Sequence, residues 1–325
     1  MLSLSTKKVM VTGGAGFIGS HLVDALIKEN PGNLVVVDNM FLGKKKNLDT
    51  AFAQFPSLQF IEQDASEHGA MQSIIRDFGI EVIFNLAVIP LPTSLERPKW
   101  TVDHNISITT TLCKLAKDGA FETLIHFSSS EAYGSAVAVP MDEKHFLSPT
   151  TPYAASKAAD DHIVLSFCKT FNIDAAIVRP FNNYGPRQND KAYAGIIPIV
   201  INKVLKKEPI EIFGDGEQTR DYIYVEDTAD AAIAAYKFVE SRGQITNAAS
   251  GREISINHLV QTLLKILKAE NHPVVHGAPR PGDVRRHCGS IEKARQLIRF
   301  NPQTNITDGL QDTVDWYLKK AAGNR

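Results

Sequence analysis

The sequence predicts an open α/β sheet, parallel and doubly wound, with a smaller and discontinuous α/β lobe behind it. Short apolar runs recur through the first 180 residues, at 9–11, 34–37, 58–61, 82–86, 124–127 and 175–178. Unbroken apolar runs of this length mark strands buried on both faces. Helical spacing fills most of the gaps: Val23, Leu26 and Ile27; Met71, Ile74, Ile75 and Phe78; Ile106, Leu112, Leu115 and Ala116. Strand-helix alternation with right-handed crossovers covers both faces of one parallel sheet. The chain has 325 residues, room for roughly two domains of 100–200 residues.

After residue 180 the pattern loosens. The stretch 180–195 reads as a long loop and 196–205 as an apolar helix. A second loop at 214–220 has strong turn chemistry, followed by a strand at 222–225 and a helix at 228–239. Helices are expected near 256–268, 291–297 and 309–319, with another loop at 279–285. The expected division is a first domain over 1–180, which also receives 221–250, and a second lobe made mainly of 181–325.

Composition narrows the class. Hydrophobic residues make up 43% and charged residues 22%, ordinary for a soluble globular chain. Lys and Arg number 35 against 36 Asp and Glu, so bulk charge points to neither nucleic acid nor an anionic membrane surface. No apolar stretch approaches ~20 residues, so no membrane span is expected. Residues 1–8 are too short and polar for a signal peptide. Cys113, Cys168 and Cys288 lie far apart, which argues against a disulfide framework or a zinc site and fits a reducing cytoplasm. The ten histidines show no metal-ligand spacing, so no metal is expected. His104, His126 and His162 read as structural, and Cys113, Cys168, Phe167 and Phe171 read as core.

The strongest local motif runs from Thr12 to Gly19, with glycines at 13, 16 and 19 between a strand and a helix. Glycines there let the backbone approach a pyrophosphate, and the helix N-terminus supplies N–H donors and partial positive charge. This is a dinucleotide loop of Rossmann type. Asp38 ends the second strand 19 residues after Gly19, where a carboxylate accepts hydrogen bonds from both ribose hydroxyls. It repels a 2′-phosphate, so NAD is expected rather than NADP. The run Lys44 to Lys46 is contrary, but reads as a solvated loop. Gly13, Gly16, Phe17, Ile18, Gly19, Asp38, Asn39, Asp64, Ala65, Leu86 and Ala87 form the expected cofactor set, joined by Tyr153 and Lys157.

Tyr153 and Lys157 stand at i and i+4, on one face of a helix. An ammonium beside a phenol favours phenolate. A free tyrosine titrates near ~10, so a shift of three units needs about 4 kcal/mol of electrostatic help. Lys157 and a positive nicotinamide ring are the available sources. Ser129, Ser130 and Glu131 follow the fifth strand, on the edge where doubly wound sheets bind ligands. Ser129 is placed to hold a substrate hydroxyl.

Together these residues resemble the extended short-chain dehydrogenase/reductase superfamily. Within it the chain is similar to NAD-dependent nucleotide-sugar epimerases, dehydratases and decarboxylases, from about Lys8 to Tyr317. Asn85 to Ala87, Arg179 to Arg187, Gly214 to Tyr222 and Arg280 to Asp283 also match. The resemblance implies a nucleotide diphosphate-sugar substrate in the second lobe. It places Asn182, Arg220 and Arg280 at the diphosphate and nucleotide, and Tyr193 beside the base. Two cations facing a diphosphate also make independent physical sense. Ser130 joins the substrate set, and Ser129, Glu131, Tyr153 and Lys157 are the expected catalytic residues. It further implies a homodimer paired through helices near 100–118 and 153–171.

Transient oxidation at C4 is common to the family, and Glu131 discriminates among the steps that can come after it. Many 4-epimerases carry a small or apolar residue there. In 4,6-dehydratases the matching glutamate is the C5 base, and some UDP-uronate decarboxylases have the same Ser-Glu pair. The dTDP-glucose dehydratase pattern has Asp where this chain has Ser130, whereas the stretches 193–198 and 214–220 resemble UDP-sugar 4-epimerases. A glutamate at a buried strand end is costly unless paired or used. The reading is therefore an NAD-dependent 4,6-dehydratase for a UDP- or dTDP-hexose. UDP-sugar 4-epimerase is the alternative, with UDP-uronate decarboxylase and a non-catalytic NAD-binding sensor behind it.

Overall fold

The apolar runs become one parallel sheet in the computed structural model, which describes residues 1–190, 194–279 and 284–323. The first half contains β1 (Lys8–Thr12), α1 (Phe17–Ile27), β2 (Asn33–Asp38), α2 (Asp49–Gln54), β3 (Gln59–Glu62) and α3 (His68–Phe78). Then come β4 (Val82–Asn85), α4 (Leu91–Glu96), α5 (Pro98–Lys117), β5 (Thr123–Phe127), α6 (Pro152–Phe171) and β6 (Asp174–Pro180). The second half holds β7 (Asn182–Tyr184), α7 (Ile196–Lys206), β8 (Ile210–Phe213), β9 (Thr219–Arg220), β10 (Tyr222–Tyr224) and α8 (Val225–Lys237). It ends with β11 (Ile245–Ala248), β12 (Ile254–Ser255), α9 (Ile256–Ile266), β13 (Val274–Gly277), α10 (Glu292–Ile298) and α11 (Ile306–Gly323).

The central sheet has seven strands in the order β11-β6-β5-β4-β1-β2-β3. Every pairing in it is parallel. The chain steps outward from β1 to β3, then crosses back to β4 on the far side of β1. That reversal opens a crevice past the carboxyl ends of β1 and β4, where such sheets take ligands.

Alternating residues of each strand serve two cores. Val9 and Val11 face a layer with Leu22 and Leu26 of α1 and Ala232 of α8. Met10 faces the opposite layer with Ile75 of α3 and Leu112 of α5. All but Ile75 are wholly buried, and each large aliphatic side chain among them contributes about 1.5–3 kcal/mol by leaving water. A separate core joins α7, α9 and α11 through Val200, Leu263 and Val314. No helix among the described residues is long and apolar enough to cross a membrane.

The structure departs from the sequence reading in several places. The segment expected to be loop from 180 contains β7, which pairs in parallel with β10 rather than joining the central sheet. β11 is a seventh sheet strand, and its Thr246 and Asn247 are buried although polar. The parallel pair of β8 and β13 was also not anticipated. Phe171 is 46% exposed in the last turn of α6, with Lys117 over its ring, so it is not core. Cys113 is buried as expected, whereas Cys168 is only partly so.

Candidate active site

The dinucleotide loop is shaped by its glycines. Gly13 has φ +68°, in the left-handed region, and a side chain there would lie 2.7 Å from the Leu86 carbonyl carbon at the end of β4. A side chain on Gly19 would lie 2.2 Å from the Gly13 oxygen, so α1 packs against its own loop. Gly16 caps α1 without any side-chain hydrogen bond. The first N–H groups of α1 therefore have no side-chain cap and are left free to bind an anion.

Asp38 is buried at the tip of β2. Its Oδ2 accepts from the Ala15 N–H at 3.0 Å and its Oδ1 from the Met40 N–H at 2.9 Å. Each carboxylate oxygen keeps a lone pair for a ribose hydroxyl. Burial raises its pKa and the two backbone bonds oppose the rise. Among the described residues no cation acts on it to offset a 2′-phosphate: Lys45 lies over the Phe60 ring at 5.3 Å, and Lys44 points toward Asp190. A pyrophosphate cradle and a ribose acceptor are thus both built, and the site fits NAD.

Asp64 lies two residues past the end of β3. Its carboxylate accepts from Ser66 and Asn39, and His104 Nε2 lies 3.1 Å from it. Burial would raise its pKa, but these partners outweigh it and hold the carboxyl below its ordinary range. His104 therefore lines the cavity and braces a site carboxylate. His162 is exposed.

The chemistry gathers at the other end of the same cavity. Thr151 caps α6 by accepting from the Ala154 N–H at 3.1 Å, and Pro152 sits at the first helical position. That local signal puts Tyr153 in the first turn and Lys157 one turn later, facing the crevice. Burial raises the Tyr153 pKa above that of a free phenol, while the Lys157 charge and the Ser129 hydroxyl pull it down. Ser129 Oγ also accepts from the Glu131 N–H at 3.2 Å, opening a 3-10 turn over Ser130–Tyr133.

This turn is held from below. Ser128 Oγ donates to Asp161 Oδ2 at 2.8 Å, and Arg179 Nη2 donates to the same oxygen at 2.5 Å. The Arg179 guanidinium stacks 4.4 Å from the Tyr133 ring centre, and the Tyr133 hydroxyl donates to Asn247 at 2.8 Å. Glu131 is therefore carried on a rigid base. Burial raises its pKa and Arg220 lowers it, while its own charge raises that of Tyr153. It sits electrostatically between the two.

Gly13, Gly16, Phe17, Ile18, Gly19, Asp38, Asn39, Asp64, Ala65, Leu86, Ala87, Ser129, Tyr153 and Lys157 all line one cavity. Ser130 and Glu131 lie beside it rather than on its wall. Ser130 is buried. Asn182 turns away and donates to the Asp221 carbonyl at 3.1 Å, and its neighbour Asn183 lines the cavity instead. Arg220 donates to the Val284 carbonyl at 2.6 Å. Tyr193 and Arg280 lie outside the described residues. Phe41, Val88, Pro90, Phe181 and Gln188 also line the wall, which the sequence reading does not anticipate. Their common signal is position, since Phe41, Val88, Pro90 and Phe181 all fall just past a strand end on the ligand edge.

Comparison with known proteins shows the family. The family model described as NAD dependent epimerase/dehydratase family matches residues 9–249. A putative UDP-glucose 4-epimerase of Methanocaldococcus jannaschii is 34% identical, over 95% of this chain and 97% of that one. The crystal structure of a UDP-glucose 4-epimerase of Thermotoga maritima with UDP-glucose superposes with a TM-score of 0.90 at 32% identity, covering 97% and 99% of the two chains. A dTDP-glucose 4,6-dehydratase of Streptomyces venezuelae with NAD bound gives 0.90 at 29% identity, covering 97% and 98%. The cradle at Gly13, the Asp38 acceptor and these matches converge: the chain is an enzyme of the NAD-dependent epimerase/dehydratase family.

Proposed function

We propose that this enzyme is a nucleotide-sugar 4,6-dehydratase acting on a UDP- or dTDP-hexose. The observation that carries the reading is Glu131, a half-buried carboxyl group whose pKa burial raises and Arg220 lowers, and whose charge acts on Tyr153. A carboxylate in that place is costly unless it is paired or does chemistry.

NAD, held by the Gly13–Gly19 turn and the Asp38 carboxylate, would supply a reversible hydride acceptor for the chemistry at C4 and C6. Tyr153, as phenolate, takes the proton of the sugar 4-OH, with Ser129 holding that hydroxyl and Lys157 supplying positive charge. The resulting C4 ketone makes the C5 proton acidic. Glu131 takes that proton and delivers it to the 6-OH, so the C6–O bond breaks with loss of water. C5 then receives a proton from solvent while Tyr153 releases to solvent the one it took, which closes the count. Ser130 has no proton of suitable acidity for the leaving 6-OH, so one carboxyl must serve as base and then acid. Asn182, Tyr193, Arg220 and Arg280 are proposed to hold the nucleotide diphosphate, in a lobe made mainly of 181–325. Residues 1–180 with 221–250 form the NAD domain.

The second reading, a UDP-sugar 4-epimerase, is favoured by the identity to the M. jannaschii relative. In that case C5 is never deprotonated. Products from UDP-, dTDP-, GDP- and CDP-sugars, uronic acids included, are to be weighed by mass spectrometry after reaction in heavy water. Loss of one water with deuterium at C5 is expected. An isomer of unchanged formula overturns the dehydratase, and loss of carbon dioxide from a uronic acid substitutes a decarboxylase. We propose further that the enzyme is a cytoplasmic homodimer paired through α5 and α6, and a monomeric mass in solution would refute that pairing.

A further inference from the structure

A row of polar side chains runs under the lysine. Register sets Thr12 of β1 opposite Asn85 of β4, and Asn85 opposite His126 of β5, so the three project from one face of the sheet. Thr12 Oγ1 is 2.6 Å from the Asn85 amide oxygen, and the Asn85 amide nitrogen is 3.0 Å from His126 Nδ1. His126 Nε2 is 3.5 Å from Lys157 Nζ, which also donates to Asp160 Oδ2 at 3.1 Å. His126 is 1% exposed and Lys157 3%, so water does not compete for these contacts.

Counting protons shows what the row does. A lysine ammonium carries only donors, so the ring nitrogen facing it has to be an acceptor. That places the imidazole proton on Nδ1, which then requires an oxygen from Asn85. The two ends of an amide have the same shape, and a half-turn of Asn85 gives its oxygen to His126 and its NH2 to Thr12. The opposite amide orientation puts the proton on Nε2 and leaves it facing an ammonium, donor against donor. Ionised Lys157 and one orientation of the Thr12–Asn85–His126 row therefore select each other.

We propose that His126 is a positioning residue, whose neutral imidazole accepts from Lys157 and keeps that ammonium aimed beneath Tyr153. The proposal rests on the reading of Tyr153 as base and Lys157 as its charge partner. The surroundings favour it. Burial and the Lys157 charge hold the His126 pKa well below its ordinary value, so the ring stays neutral through the working range. Asp160, pushed up to about 6 mainly by burial, is the other ligand of the ammonium and itself feels Asp161. Glu131 and Asp160 both raise Tyr153, and Lys157 is the charge that opposes them. Losing its aim therefore favours the protonated phenol.

The test reads the phenol directly. Tyr153 ionisation is followed by ultraviolet difference titration against Tyr153→Phe, in the protein with and without NAD. His126→Phe removes the acceptor and is expected to raise the Tyr153 midpoint by about half to one unit, roughly a 3–10-fold loss of phenolate at fixed pH. The acid limb of kcat/KM moves up by the same amount, while the KM for sugar stays put. His126→Gln retains an acceptor oxygen and is expected to stay near wild type. If His126→Phe does not fold, His126→Asn, too short to reach Lys157, is expected to give the same shift. A folded, NAD-binding variant without the acceptor whose Tyr153 midpoint matches wild type overturns the proposal. Failure of the wild type to turn over any nucleotide sugar would instead sink the functional reading, and the phenol midpoints would still decide the role of His126.

Discussion

Tyr153→Phe is expected to lower kcat by about 10²–10⁴-fold while the protein still folds and carries NAD. The change deletes one oxygen. The ring, the Thr151 cap and the first turn of α6 remain. The NAD cradle is elsewhere, in the Gly13 turn and the Asp38 carboxylate, so bound cofactor measured after denaturing the protein is expected to match wild type. What is lost is the only phenol placed against both Ser129 and Lys157 among the described residues. The pH profile gives the second signature. Burial raises the Tyr153 pKa and Lys157 and Ser129 lower it, and the base works only as phenolate. Wild-type turnover therefore climbs with pH until the phenol is ionised, and residual turnover in the variant lacks that limb. A variant with wild-type kcat would remove Tyr153 from the chemistry and with it the whole C4 oxidation scheme.

What could be read from the sequence divides by range. Tyr153 and Lys157 were legible because i and i+4 share a helix face. The glycine loop was legible for the same reason: strand, turn and helix follow one another without a long-range contact. Asn182 was assigned from resemblance, but a three-residue strand alternates its faces, and the structure turns Asn182 to Asp221 and Asn183 to the cavity. β11 escaped notice because Thr246 and Asn247 look solvent-facing. They are buried because Asn247 finds Tyr133, Glu143 and Met141, far away in the chain. His126 read as structural for want of its partners, which arrive from β1, β4 and α6. Phe171 matched the helical period of a core residue, yet the period says nothing of where a packing partner ends. In each case the missing term is a contact across many residues, and local pattern carries no trace of it.

Glu131→Gln separates the two readings of the reaction. The amide keeps the length and shape of the carboxyl but cannot take a proton. Arg220 remains anchored to the Val284 and Thr219 carbonyls, and the 3-10 turn keeps its Ser129 cap and its Arg179–Asp161 base. Loss of water is expected to slow by about 10²–10⁴-fold, since a positioned base is worth that much. C4 oxidation persists, so the 4-keto sugar builds up to no more than one equivalent of bound NAD, with its full formula less two hydrogens. In heavy water the wild-type product carries deuterium at C5 and the trapped ketone does not. The pH dependence follows from the environment of the acid. Burial raises the Glu131 pKa against the pull of Arg220, and only the carboxylate can accept the C5 proton. Dehydration therefore fails, on the acid side, at a higher pH than an ordinary glutamate would impose. The result that reverses the assignment is equally plain. If both forms interconvert C4 isomers at one rate with no deuterium uptake, the enzyme is an epimerase, and the half-buried carboxyl serves to balance Arg220 beside a ligand it never deprotonates.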